Sequence, residues 1–239
     1  MIDPGGRSSD SLAVRAGMKL RGPFDRLFAR SSLIPLTPYL DPRTFPWTST
    51  LEEGWRDARA ELDQLLNDRE ELPPLAKVSP VDRPIAADGK WKSYFFRAYG
   101  YRADKNIARC PKTAALIDSI PNVVVAFFSV MDAGTHVPRH RGVTKALLNV
   151  HLGLRIPAGV DRCRISVGNQ VRGWSEGDVL VLDDTYPHEV WNETDQLRAV
   201  LFLQVRRPLG PFGWLLASLI LRAVRLTSYV QQGKKLLDA

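Results

Sequence analysis

Residues 145–206 read KALLNVHLGLRIPAGVDRCRISVGNQVRGWSEGDVLVLDDTYPHEVWNETDQLRAVLFLQVR. Short β-rich runs recur through this stretch at 145–156, 162–167, 179–183, 187–191 and 197–206, and a further run, NVVVAFFSV, precedes them at 122–130. The clusters DAG, PAG, GNQ, SEG, DDTYP and NETDQ fall between them. Branched and aromatic side chains suit a pleated, half-buried surface, and Gly, Asn, Asp and Pro supply the turns. Short strands at regular spacing predict a sandwich or barrel.

Alternation along one run adds detail. From 147 to 154, Leu148, Val150, Leu152 and Leu154 share one face, while Leu147, Asn149, His151 and Gly153 share the other. The apolar face belongs in a core, and the mixed face borders solvent or a polar cavity. Upstream, WKSYFFRA at 91–98 reads as a strand and Pro111 to Ile120 as a short helix. Residues 50–67 read as a helix, with Leu51, Trp55, Ala58, Leu62 and Leu65 at helical spacing and Thr48 or Ser49 as cap. The outer boundaries follow. Residues 1–45, rich in Gly, Pro, Ser and Arg, are expected to be a leader and an extended arm. Residues 46–208 form the main domain, and 209–239 a helical tail. In that tail Ser218, Arg222, Arg225 and Tyr229 recur at helical steps among Leu, Ile and Val. This is an amphipathic helix that packs on the barrel or lies at a membrane interface.

The 239 residues suffice for one sizeable core, and 44% hydrophobic with 25% charged content is that of a folded domain. Two cysteines, Cys110 and Cys163, make neither a disulfide framework nor a CxxC zinc pair, so a reducing, cytoplasmic setting is expected. The start lacks the pattern of a signal peptide, and the longest apolar run, Phe212 to Leu221, is about half a bilayer span. The net charge of +7 sits at the ends: +3 over residues 1–30 and +5 over 206–239, leaving −1 between. A near-neutral body argues against nucleic-acid binding. Basic ends fit either solvated tails or peripheral contact of the C-terminal helix with the inner face of the membrane.

All four histidines, His136, His140, His151 and His188, lie within the β-rich stretch. Clustered imidazoles on strand ends of a barrel suggest a metal. Arg198 is the sole charge in the apolar run LRAVLFLQV. A buried Arg needs an anion, either an internal partner such as Asp183 or Asp184 or an organic diacid gripped by the guanidinium fork. The turn NETDQ, read as a hairpin, would set Arg198 on the strand beside His188. Two histidines and such an Arg fit non-haem iron oxygenase chemistry, whose usual site is two His and one carboxylate. The carboxylate is expected two residues after the first His, where this chain has Gly142.

At these residues the chain resembles the aspartyl/asparaginyl β-hydroxylase family. The resemblance rests on GTHVPRHRG (Gly134 to Gly142), HLGLRIP (His151 to Pro157) and WSEGDVLVLDDTYPHEVWNETDQLR (Trp174 to Arg198), and spans about residues 110–208. It implies a mostly β, cupin-like double-stranded β-helix (jelly roll) with N-terminal helices and a C-terminal amphipathic helix. It implies Fe(II), 2-oxoglutarate and O2. His140 and His188 would hold iron, with water in place of a carboxylate at Gly142, as in the animal hydroxylase. Arg198 would take the distal carboxylate of 2-oxoglutarate, and Ser129 and His151 the carboxylate near iron, while His136 would be a rim residue. Where the animal enzyme has basic groups that grip an acidic substrate, this chain has Phe127, Leu147 and Asn149. The prime substrate is therefore expected to be an aspartyl or asparaginyl side chain of a peptide or, as in bacterial members, a lipid acyl chain. A barrel that binds metal or ligand without catalysis is the alternative from another class.

Overall fold

The computed structural model describes residues 12–67, 72–79, 82–159, 161–227 and 230–234. Its strands are β1 (Tyr39–Leu40), β2 (Trp91–Ala98), β3 (Tyr101–Arg102), β4 (Val123–Met131), β5 (Thr135–His140), β6 (Leu147–Arg155), β7 (Cys163–Val167), β8 (Gln170–Arg172), β9 (Val179–Leu182), β10 (His188–Asn192) and β11 (Arg198–Arg206). The helices are α1 (Leu12–Ser31), α2 (Thr48–Asn67), α3 (Leu75–Val78), α4 (Asp104–Arg109), α5 (Pro111–Ser119) and α6 (Pro211–Arg225). The strands form two antiparallel sheets, in the orders β1-β9-β6-β11-β4-β2-β3 and β5-β10-β7-β8. From β4 to β11 the chain shuttles between these sheets, and four strands of each make the jelly roll of a double-stranded β-helix.

The two faces of β6 separate as their alternation requires. Leu148, Val150, Leu152 and Leu154 leave the barrel and pack with Leu51, Ala58, Leu62 and Leu65 of α2 and Ile117 of α5. The opposite face lies between the sheets, where Met131, Val137, Ile165, Val167, Leu182, Val190 and Val200 form an inner core. The larger sheet is thus clamped between helices and the smaller sheet, which leaves only its inner face for a site.

Four features depart from the sequence reading. The extended arm is helical over Leu12–Ser31, with Pro23 inside the helix. Its Phe24 and Phe28 bury against Trp214 and Ala217 of α6, so tertiary packing overrides weak local propensity. The turn NETDQ is not a hairpin: β10 pairs with β5 and β7, while β11 pairs with β4 and β6. The turn arches between sheets and is pinned by Asn192, whose Nδ2 donates to the carbonyls of Met131, Asp132 and Gln196 at 3.2, 3.0 and 2.8 Å. β5 is a strand despite Pro138, which argues against one in the sequence; it lies at the edge of the smaller sheet, where a missing donor costs no ladder bond. Finally, within the expected helical tail over 209–239, α6 spans only Pro211–Arg225, and Tyr229 lies outside the described residues.

Candidate active site

The antiparallel register of β5 and β10 sets His140 directly opposite His188. Their ring centroids lie 4.0 Å apart. The Nδ1 of His140 is 2.8 Å from the Pro138 carbonyl, and that of His188 is 3.1 Å from the Tyr186 carbonyl. A carbonyl only accepts, so each Nδ1 carries the proton and each Nε2 keeps its lone pair for a metal. Backbone carbonyls thus fix both tautomers and both ring orientations. Burial, and then the neighbouring His140, hold His188 down at about 4; burial also lowers His140. Both rings are neutral at neutral pH, as ligation requires.

A Cβ built on Gly142 would lie 2.0–2.2 Å from the carboxylate of Asp184. The space in which a ligand carboxylate at 142 would begin is filled by an acid arriving from the β9–β10 loop. The amide of Gly142 donates to the Asp184 carbonyl at 2.7 Å, locking the two segments together. Asp184 Oδ2 accepts from Asn149 Nδ2 at 3.1 Å, and Asn149 Oδ1 accepts from Gln204 Nε2 at 3.1 Å. Burial, then the adjacent Asp183, push Asp184 up to about 7. Among the described residues no group of three His, Cys, Asp or Glu is arranged to hold a metal ion.

Arg198 is 2% exposed, and no described carboxylate pairs with it. Asp183, a candidate partner on spacing, is taken by Arg207 and by Lys145 Nζ, which approaches it at 2.7 Å. Instead the Arg198 guanidinium lies 4.8 Å above the Trp174 ring, 3.0 Å from Met131 Sδ and 3.4 Å from His151 Nδ1. Since arginine only donates, His151 Nδ1 accepts and its proton sits on Nε2. Three buried donors then lack an acceptor: Arg198 Nε, His151 Nε2 and Trp174 Nε1. His151 is held well below its ordinary range by burial, then by the charges of Arg198 and His188. It is a neutral donor beside a cation that burial lowers only to about 10. A buried cation ringed by unmet donors is shaped for an anion with several acceptor oxygens. Ser129, in the neighbouring strand, accepts from Trp91 Nε1 at 2.8 Å.

The remaining candidates fall on the same inner face. Phe127 stacks between Phe95 and Phe202, with centroids 4.6 and 4.7 Å apart, and Phe202 is 5.2 Å from His151. Leu147 is buried in the same apolar wall. His136 alone points away: it is exposed, stacks on Trp191 and meets Glu189 Oε1 at 2.7 Å. Sequence reasoning misses Trp174, Met131 and Asn192 as contributors, and takes Asp184 only as a candidate partner of Arg198. Only Asp184 offers a signal, four residues before His188 in DDTYPH.

Comparison with known proteins identifies the family. The family model described as aspartyl/asparaginyl beta-hydroxylase matches residues 52–208. An ornithine lipid ester-linked acyl 2-hydroxylase of Rhizobium tropici is 38% identical over 200 residues, covering 82% of this chain and 70% of that protein. The aspartyl/asparaginyl beta-hydroxylase of Mus musculus is 30% identical over 200 residues, covering 79% of this chain but 26% of that protein. Among solved structures, a Pseudomonas putida prolyl-4-hydroxylase aligns with 64% of this chain and 87% of that chain at 17% identity and TM-score 0.41, too distant to bear on activity. With the family model covering well over half its length, the chain belongs to the aspartyl/asparaginyl β-hydroxylase family.

Proposed function

We propose that the protein is an Fe(II)- and 2-oxoglutarate-dependent hydroxylase whose prime substrate is a lipid acyl chain. The observation that carries the co-substrate is Arg198, a buried guanidinium without an internal carboxylate among unmet donors. A dicarboxylate supplies the charge and the acceptors. In this reading Arg198 grips the distal carboxylate, while His151 and Ser129 orient the end nearer the metal. His140 and His188 hold iron through Nε2. Iron, when bound, supplies oxidative decarboxylation of 2-oxoglutarate to succinate and CO2, with one oxygen atom inserted at a C–H bond. Asp184 stands where a third ligand would begin and is poised to accept a hydrogen bond from water there.

The wall built by Phe95, Phe127, Leu147 and Phe202 supports an acyl chain over an aspartyl side chain. None of these four side chains carries a charge to hold an acid, and together they exclude water from an apolar substrate. The likeness to the acyl hydroxylase of Rhizobium tropici points the same way. The test is twofold. Protein with Fe(II), ascorbate and 2-oxoglutarate should release succinate, and lipids from cells containing the protein should carry a hydroxyl mass increment absent without it. A hydroxylated peptide with unmodified lipids would overturn the acyl reading; iron binding without any succinate would leave a binding barrel.

A further inference from the structure

A concentration of positive charge and a stripe of exposed apolar side chains fall on the same pair of helices. α1 and α6 together contain seven Lys/Arg and one Asp, nearly the whole net charge of +7. They pack on one another through Phe24, Phe28, Trp214 and Ala217. Gly213 permits the approach: a Cβ there would stand 2.2 Å from Ser31 Oγ. With its inner side so occupied, α6 turns Phe212, Leu215, Leu219 and, just past its end, Leu226 outward, at 66%, 59%, 54% and 78% exposure. These positions fall on one helical stripe, and the exposed Arg222 lies in line with them. Arg26, Arg30 and Arg225 are also exposed on the two helices.

α6 also touches the site. Leu221 packs into the cluster that contains Phe127, Leu147 and Phe202, with Ala76 and Val78 of α3 beside it. One helix therefore borders the apolar wall of the barrel on its inner side and bears an unpartnered apolar stripe on its outer side. No described helix is long and apolar enough to cross a membrane, so the stripe suits a helix lying in an interface.

We infer that the outer face of α6, with Arg26 and Arg30 of α1, docks on the surface of an anionic bilayer, bringing the mouth of the barrel to the lipid. Charge selects this occupant. A second copy of the chain would press two such basic helix pairs together, whereas anionic headgroups neutralise them while the apolar stripe enters the acyl region. The inference goes beyond the proposed reaction, and vesicle binding is read without turnover, so either can fail alone.

The test uses the whole chain with phosphatidylcholine vesicles, with and without phosphatidylglycerol, in a flotation assay at low and high salt. Vesicles with phosphatidylglycerol should bind at least about tenfold more tightly than neutral ones, since each basic residue near such a surface is worth about fivefold. Salt should weaken that binding. The triple variant Phe212→Ser/Leu215→Ser/Leu219→Ser should lose at least about tenfold in vesicle affinity, and Arg222→Glu should lose several-fold, mainly at low salt. Both variants should keep the wild-type circular dichroism and uncoupled succinate release, since these side chains already face solvent. Absence of flotation, equal affinity for neutral vesicles, or undiminished binding by the triple variant would overturn the inference. So would a concentration-dependent dimer that the triple variant abolishes, which would assign the stripe to a second copy.

Discussion

A guanidinium buried as deeply as that of Arg198 destabilises the fold until an anion reaches it. Arg198→Met should therefore raise the stability of the ligand-free protein, by about 1–3 kcal/mol in denaturant unfolding. The same change should weaken 2-oxoglutarate binding by about 2–5 kcal/mol, read by calorimetry with a redox-inert metal in place. A variant that is destabilised with unchanged 2-oxoglutarate affinity would remove Arg198 from the site. Asp184 gives a pH signature. Its folded pKa of about 7 lies above the ordinary carboxylate value of 3.8, so the folded state retains a proton that the unfolded state has lost. The stability of the wild-type protein relative to Asp184→Asn should therefore fall as pH rises from about 4 to about 7 and be level above that, by about 2–4 kcal/mol in total. A pH-independent difference would show that the acid is ionised throughout.

The strands and turns set which side chains meet. β6 carries two populations of residues, so substitutions on its two faces should behave differently. Leu152→Ala, on the helix-facing side, should cost about 2–5 kcal/mol in stability and leave 2-oxoglutarate affinity unchanged. The arch between β10 and β11 is a separate case. Asn192 is fully buried and ties it to the end of β4, and β11 begins with Arg198. Asn192→Ala should cost about 1–3 kcal/mol because it removes the three hydrogen bonds that pin the arch. It should also loosen 2-oxoglutarate binding, since Arg198 leaves that arch. Normal co-substrate affinity in a destabilised Asn192→Ala protein would show that the arch holds the fold but not the site.

Across the whole molecule, a buried knot joins distant segments. Arg207 pairs with Asp183, donates to the Lys145 carbonyl at 2.8 Å and reaches Ser32 Oγ at 3.4 Å. It therefore ties the end of β11, the entry to β6, the N-terminal segment and the loop leading to His188. Arg207→Ala should cost about 2–4 kcal/mol by leaving the buried Asp183 with Lys145 as its remaining cation. It should also lower metal affinity by loosening the Asp183-to-His188 loop, measured with Co(II) by calorimetry. Stability loss with undiminished Co(II) binding would make the knot purely structural. α6 belongs to this scale too: Ala217 is fully buried and Leu221 meets the inner wall, so removing the helix would damage the core. Substitution of its outer residues is the informative change.

The β-rich runs, the two faces of β6, the cluster of histidines and the isolated Arg198 were legible in the sequence. Each depends on short-range periodicity or on a charge misplaced in an apolar run, and local spacing records both. The strand at β5 was hidden because Pro138 is tolerated only at an edge, and edge position is a property of the assembled sheet. Helix α1 was hidden because its apolar partners lie on α6, nearly two hundred residues away in the chain. The role of Gly142 was half legible. Its missing side chain was visible, but only packing of the β9–β10 loop brought the Asp184 carboxylate into that space. Whether Arg198 had an internal partner was likewise undecidable from spacing. The tertiary structure decided it by assigning Asp183 to Arg207 and Lys145, because a buried carboxylate satisfied by two cations has no charge left for a third.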